Sequence, residues 1–158
     1  MRKAIELAVV VALAVPVSAA PPPAAGGPSE PPVAVSIAVA PGSAAPGSDV
    51  AVTVKLSPRS GIKLNKYPKI KLTVPAEPGL VAAAEGAIGN AAPPSADHLE
   101  ANYYKGVVDP LVVQVHLERT ASPGAHDVSA KLSYFYCVAA SGYCAPAKVD
   151  VTVPILVR

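Results

Sequence analysis

The sequence predicts an all-β fold, an antiparallel β-sandwich of immunoglobulin-like class. Apolar and polar residues alternate in several short runs, as they do when one face of a strand is buried. Proline and glycine, with 19 and 11 residues, separate these runs. The sequence has no amphipathic helical pattern of useful length and no internal repeat. About seven short strands punctuated in this way are typical of a sandwich.

The beginning of the chain has the features of a secretory signal peptide, which we assign to residues 1–19. A basic start precedes an apolar stretch and the small residues Val17-Ser18-Ala19. Residues 20–48 follow as a proline- and alanine-rich tether with a short first strand, and residues 49–158 as the sandwich domain. We therefore expect a periplasmic or secreted protein with no stable membrane insertion after cleavage.

The charge of the chain is nearly balanced. The 13 basic and 11 acidic residues become 11 and 10 when the two basic residues and one acidic residue of the signal peptide are removed. Bulk charge therefore gives no reason to expect a nucleic-acid partner. The sequence has no glycine-rich phosphate loop and no hydrolase nucleophile motif, and we expect no cofactor or metal.

The strands can be placed in order from the alternation. They are 33–40, 49–56, 69–74, a weak run around 80–82, 111–118, and the two arms of a final hairpin, 128–136 and 147–155. Two loops interrupt this rhythm. The loop 57–68 is basic, with Ile62, Leu64 and Tyr67 to order it. The loop 83–105 shows no convincing element, and loops of that length in a compact domain are usually functional or disordered. It ends in the run 97–104, a cluster of polar and aromatic groups suited to covering a reactive site.

The only two cysteines, Cys137 and Cys144, lie at the tip of the final hairpin, on either side of the turn signal Ser141-Gly142. If paired positions sum to 281, each core-facing residue of one arm meets a core-facing residue of the other, as Leu132 meets Val149. The same register pairs Cys137 with Cys144. Both cysteines then lie on the face opposite the core.

A disulfide at this position is expected to be a weak staple. Directly opposite strand positions have Cβ atoms ~4.5–5.5 Å apart, whereas a disulfide prefers ~3.8 Å, so some strain is expected unless the loop relaxes. Closing the eight-residue loop from Cys137 to Cys144 removes unfolded-state entropy worth only ~2.5 kcal/mol. Spacing alone leaves two interpretations open, a pair that opens and closes and a structural hairpin clip.

The hairpin also resembles a known family. Tyr136-Cys137, with Gly142-Tyr143-Cys144-Ala145-Pro146 leading into Val149-Asp150-Val151-Thr152-Val153-Pro154, is similar to the cysteine hairpin of the N-terminal periplasmic domain of the DsbD thiol:disulfide interchange reductase family. The resemblance covers residues 50–157. It implies an immunoglobulin-like fold whose cysteines receive electrons from a membrane-embedded or thioredoxin-like thiol reductase and pass them to oxidised exported proteins.

The resemblance further implies a cap loop that shields the cysteines until a partner docks, by position Ala91 to Glu100. The candidate cap and partner-binding residues are Asp97, His98, Glu100, Tyr104 and Tyr143. For Asp97 and Glu100, an ordinary solvated surface position is the alternative. In the implied mechanism one thiolate attacks the partner disulfide and the second resolves the mixed disulfide. The resemblance favours Cys144 as the attacking residue, although no neighbour in sequence supplies a cation to activate it.

Two other functions stay open. A non-enzymatic exported binding module would use exposed tyrosines such as Tyr103, Tyr104 and Tyr143, which are frequent interface residues, and would keep the disulfide as a clip. Copper handling would use the two cysteines together with His98 or His116.

Overall fold

The computed structural model of the chain describes residues 30–158. The predicted signal peptide, residues 1–19, and residues 20–29 of the predicted tether lie outside the described residues. Among residues 30–158, no helix is long and apolar enough to cross a bilayer. The described strands are β1 Val33–Ala40, β2 Asp49–Pro58, β3 Ile62–Leu64, β4 Ile70–Val74, β5 Ala84–Ile88, β6 Leu111–His116, β7 Gly124–Val138 and β8 Cys144–Val157, and a 3₁₀ segment, Ala96–Asn102, lies between β5 and β6.

The strands form two antiparallel sheets. The first has the order β1-β2-β6. In the second, β7 pairs with β8 on one edge and with both β3 and β4 on the other, and β5 pairs with β4. The predicted antiparallel β-sandwich with a C-terminal cysteine hairpin is therefore confirmed, with eight described strands where about seven are expected. Strand β1, grouped above with the tether, pairs with β2 along its whole length and belongs to the sandwich.

The core lies between the sheets and is built from the inward positions of each strand. In β2, for example, Val50, Val52 and Val54 are buried, because successive side chains of a strand point to opposite faces. The other strands contribute Leu111, Val113 and Val115 from β6, Ile70, Leu72 and Val74 from β4, and Val128, Ala130 and Leu132 from β7. The sheets approach closely at Gly86 of β5, where a Cβ atom would lie 2.6 Å from a methyl carbon of Val113.

Two elements lie where the sequence predicts loops. The loop expected over residues 83–105 contains β5 and the 3₁₀ segment, and the loop expected over 57–68 contains β3. Strand β5 is composed largely of alanine and glycine, which have weak strand propensity, so its conformation is specified by pairing with β4. The weak run around residues 80–82 forms isolated bridges instead of a strand, with Val81 bridged to Glu77 and to Leu117.

Strands β3 and β4 act as one interrupted strand along β7. Leu64 pairs with Tyr136 and Leu72 pairs with Leu132. Between these two pairs the chain advances eight residues from β3 to β4 but only four residues along β7. The four extra positions fall within residues 65–69, the connection between the two strands, which we call the bulge. This bulge provides the attachment point for the segment that covers the cysteines.

Candidate functional site

The β7–β8 hairpin brings the two cysteines together at its tip. The predicted register is confirmed along fourteen pairs, the last of which joins Cys137 to Cys144. The two residues form a disulfide with an S–S distance of 2.03 Å. Beyond it, the backbone N–H of Val138 donates to the carbonyl oxygen of Tyr143 at 2.7 Å, and that of Gly142 donates to Val138 at 2.9 Å. Gly142 has a φ of 68°, which glycine adopts without steric cost.

The two cysteines differ sharply in exposure. Cys137 is only 4% exposed, whereas Cys144 is exposed to solvent. Alternation alone puts both on the outer face of the sheet, as predicted. Cys137 becomes buried because β3 runs beside it on the second edge of β7, with Lys63 directly opposite. Cys144 lies on β8, which has no further strand beside this end within the described part of the chain. The disulfide is therefore accessible to solvent from the Cys144 side.

Two polar groups contact the buried sulfur of Cys137. The hydroxyl oxygen of Tyr103 lies 3.7 Å from Sγ, and Oδ1 of Asn65, which is itself buried, lies 3.7 Å from the same atom. A disulfide sulfur carries no hydrogen, so in the first contact only the tyrosine hydroxyl can donate. We call the 3₁₀ segment Ala96–Asn102 together with Tyr103 the cap, because it covers this sulfur.

Lys63 connects the cap to the strand beside Cys137. Its Nζ lies 3.0 Å and 3.1 Å from the two carboxylate oxygens of Glu100. The same Nζ lies 4.8 Å from the centroid of the Tyr103 ring, a cation–π distance. The ion pair is largely exposed, with side-chain exposures of 40% and 72%, so it adds little stability. It does fix a positive charge on the face of the sheet that carries Cys137.

The cap is anchored through Asn102 to the bulge between β3 and β4. The side-chain oxygen of Asn102 accepts the backbone N–H of Tyr67 at 2.9 Å, and its Nδ2 donates to the carbonyl of Tyr67 at 2.9 Å. The backbone N–H of Lys66 also donates to the carbonyl of Asn102 at 2.6 Å, and that of Tyr104 to Leu64 at 3.0 Å. These bonds hold the C-terminal end of the cap like an added strand. The N-terminal part of the cap is exposed and has fewer contacts.

Tyr104, the residue after the cap, packs against the hydrophobic core. Lys66 Nζ lies 5.6 Å from its ring centroid, and Lys66, Ile88 and Asp109 line the same shallow pocket. Burial raises the pKa of the Tyr104 hydroxyl, and the negative charge of Asp109 raises it further.

The residues predicted for the site are brought together only in part. Glu100 reaches the site through Lys63, and Tyr143, 60% exposed, stands next to Cys144. Asp97 and His98 are exposed, and their side chains make no hydrogen bond or ion pair with the described residues. Tyr104 packs against the core, and its described contacts are not with the cysteines. The shielding contact comes from Tyr103, three residues beyond the predicted cap loop Ala91 to Glu100.

Two residues of the site, Lys63 and Asn65, carry no predicted role there, whereas Tyr103 belongs to the polar and aromatic run 97–104 that is expected to be suited to covering a reactive site. Lys63 lies between the apolar Ile62 and Leu64. This short strand pattern predicts that the lysine side chain lies on the other face of the strand from those two. The pairing of that strand with the cysteine end of β7 is a tertiary feature, because three residues are too few to specify a partner. No neighbour in sequence supplies a cation to the cysteines, as expected, but the fold brings Lys63 from a distant segment to the position opposite Cys137.

The histidines of the copper alternative do not join the cysteines. His116 Nδ1 lies 2.8 Å from the carboxylate of Asp49, and its strand β6 belongs to the other sheet. Within residues 30–158, no group of three or more histidine, cysteine, aspartate or glutamate side chains is arranged to hold a metal.

Comparison of the chain with protein-family models, with curated proteins and with solved structures gave no match. The chemistry of the site must therefore be inferred from its own residues. The relation to the DsbD N-terminal domain stays a prediction from the hairpin motif.

Proposed function

We propose that this chain is an extracytoplasmic thiol:disulfide interchange module related to the N-terminal domain of the DsbD reductase family. In this function the Cys137–Cys144 pair accepts electrons from a thioredoxin-like or membrane-embedded thiol reductase and passes them to oxidised exported proteins. The observation that carries the proposal is the unequal exposure of the two cysteines. One sulfur is open to attack and the other is held under the cap, a division of roles that a clip does not require.

The reductive half-reaction begins with a thiolate of the donor. It attacks Cys144 Sγ, because that sulfur is accessible; a bond forms between the donor sulfur and Cys144, and the Cys137–Cys144 bond breaks. The electron pair of the broken bond goes to Cys137, which leaves as a thiolate. The donor's second thiol, once deprotonated, attacks the donor sulfur of the mixed disulfide and releases Cys144. The donor ends as a disulfide, and the module as a dithiol that has taken up two electrons and two protons.

The oxidative half-reaction reverses these roles. The Cys144 thiolate attacks a disulfide of the exported client, and one client sulfur leaves as a thiolate that takes up a proton. Cys137 then attacks Cys144 Sγ, reforms the disulfide and releases the second client sulfur. The cap limits attack on Cys137 by small oxidants and reductants, so exchange favours partners that fit the hairpin tip. Tyr143 and Leu99, 60% and 61% exposed, are apolar groups available for such contacts.

A location outside the cytoplasm fits the same proposal. Disulfides persist in oxidising compartments, and the predicted signal peptide would direct the chain there. The small loop closed by this disulfide also argues for a chemical role more than for stabilisation, since its entropic contribution is only ~2.5 kcal/mol.

The test is the reduction potential of the protein, measured by equilibration in defined redox buffers and trapping of free thiols at Cys137 and Cys144. A potential well above ~−300 mV, together with exchange with a reduced thioredoxin-like protein, is the expected result. A potential below that value without exchange would overturn the proposal. It would leave the cysteines as a hairpin clip and favour the non-enzymatic binding module.

A further inference from the structure

We propose that Lys63 is a positioning residue that stabilises the Cys137 thiolate, and that Glu100 opposes it by neutralising part of the lysine charge. This inference rests on the proposed function, in which Cys137 is the leaving group when a donor attacks Cys144. It assigns to the lysine–glutamate pair a control over how readily the disulfide opens. The ion pair adds too little stability to serve as a structural clamp.

The position of Lys63 follows from the sheet register. Lys63 of β3 lies directly opposite Cys137 of β7, and directly opposite side chains share a face with Cβ atoms ~4.5–5.5 Å apart. The lysine side chain continues over the ring of Tyr103, whose hydroxyl reaches the Cys137 sulfur. The positive charge and the hydroxyl donor are therefore arranged around the same sulfur, in a site where Cys137 is shielded from solvent.

The chemistry of the leaving group gives this arrangement its effect. When the disulfide opens, the bonding electron pair goes to Cys137, and a lower pKa of the leaving thiol makes that step faster. A nearby cation and a hydrogen-bond donor both stabilise a thiolate. The Cys137 sulfur is shielded from solvent, and a charge acts more strongly on a group in such surroundings than on a fully solvated one.

Two neighbours act in the opposite direction. The Glu100 carboxylate lies 3.0 Å from Lys63 Nζ and offsets its charge. Asn65 Oδ1 can accept a hydrogen bond from the neutral Cys137 thiol, which favours the protonated form. On the β8 side, Cys137 faces Cys144. The nearby Lys66, which lies in the bulge, contacts the ring of Tyr104 and not that of Tyr103. Among the described residues, the charged pair beside Tyr103 is thus Lys63 and Glu100.

The experiment uses the full chain with Cys144→Ser, which leaves Cys137 as the single thiol. Its thiolate fraction is followed by ultraviolet absorbance over a pH titration, with the Cys137→Ser, Cys144→Ser double variant as the blank for tyrosine. We expect Lys63→Met to raise the pKa of Cys137 and to lower its thiolate fraction at neutral pH by about tenfold. Lys63→Arg should retain the fraction of the parent, and Glu100→Gln should increase it.

The opposite signs separate electrostatic control from a structural role. Lys63→Met and Glu100→Gln break the same ion pair, so a merely structural pair would loosen the cap equally and move the thiolate fraction in one direction. If both variants shifted the thiolate fraction of Cys137 in the same direction, or if neither shifted it, the inference would be overturned. Glu100 is 72% exposed at its side chain, so Glu100→Gln is a variant whose folding is not at risk.

The titration requires no partner, so its outcome is separate from that of the proposed function. Opposite shifts without exchange with a thioredoxin-like protein would retain the role of Lys63 at the Cys137 thiolate and reject the interchange function. Exchange with unshifted titrations would retain the function and reject the role of Lys63.

Discussion

The hydroxyl oxygen of Tyr103 lies 3.7 Å from the sulfur of Cys137, and this contact joins the cap to the disulfide. The tyrosine does two things at once. Its ring covers a sulfur that the strand alternation would otherwise expose, and its hydroxyl is the only possible donor in the contact. In the exchange reaction that we propose, access to the site and stabilisation of the leaving sulfur would thus depend on one side chain.

Removing the cover should expose Cys137. In a Cys144→Ser background, we expect Tyr103→Ala to increase the alkylation rate of Cys137 by about an order of magnitude, because access limits thiol reactivity. The rate should be measured with a small neutral reagent at a pH where the thiol is fully ionised, so that only access differs.

Tyr143→Ala is the matched control for this experiment. It removes an exposed tyrosine beside Cys144 and leaves the cap intact, so alkylation of Cys137 should stay at the parent rate. If Tyr103→Ala had no larger effect than Tyr143→Ala, Tyr103 would not be the cover.

The two single-cysteine chains should differ in mixed-disulfide formation. With Cys137→Ser, the remaining Cys144 is exposed and should react with glutathione disulfide readily. With Cys144→Ser, the remaining Cys137 is shielded and should react at least several-fold more slowly at equal thiolate fraction. Mass spectrometry over time gives both rates, and equal rates would contradict the division of roles.

Tyr134 offers a test of the core beneath the site. Its hydroxyl is buried and has no hydrogen-bond partner among the described residues, so Tyr134→Phe should stabilise the fold by about 1 kcal/mol. Denaturant unfolding at neutral pH measures the change. Tyr136→Phe, at the partly exposed neighbouring position, should change stability little.

The same substitution should change the alkaline limb of the stability profile. Burial, and to a smaller extent Tyr136, raises the pKa of the Tyr134 hydroxyl in the folded state. A raised folded pKa contributes stability that is present below the unfolded value of about 10 and is lost as pH rises through the folded pKa. The Tyr134→Phe chain should therefore lose less stability above about pH 10 than the parent. A steeper loss in the variant would be incompatible with this assignment.

Removal of the disulfide should leave the domain folded. The Cys137→Ser, Cys144→Ser chain should be less stable by about 2.5 kcal/mol, since only a short loop is released. The remaining hairpin pairs and the core do not depend on the bond. Circular dichroism and denaturant unfolding test this, and an unfolded double variant would identify the disulfide as a structural requirement.

Much of the fold was predictable from the sequence because burial on one face imposes a strict period. The register of the final hairpin followed from matching core-facing residues such as Leu132 and Val149, and the pairing of Cys137 with Cys144 followed from that register. Strand β5 was not predictable, because its alanines and glycine carry little strand preference and are ordered by β4.

The candidate site was predictable only as far as the hairpin. Glu100 was named from the sequence, but its contact with Lys63 spans 37 residues and depends on how the cap folds over β3. Tyr103 belongs to the run 97–104 that is suited to covering a reactive site, but which residue of that run reaches Cys137 depends, as it does for Asn65, on the bulge at residues 65–69, which shows no sequence period. The parts specified by local alternation were thus found, and those specified by packing between distant segments were not.

The interruption between β3 and β4 separates two sets of residues with different tasks. Asn65 and Tyr103 contact the Cys137 sulfur and Lys63 lies opposite Cys137, whereas most of the hydrophobic core is contributed by β2, β4, β6 and β7. A change of cap length or charge therefore alters the reactive end without opening a cavity between the sheets. Substitutions at this end of the molecule can therefore change the surroundings of the disulfide at little cost to the ability of the chain to fold.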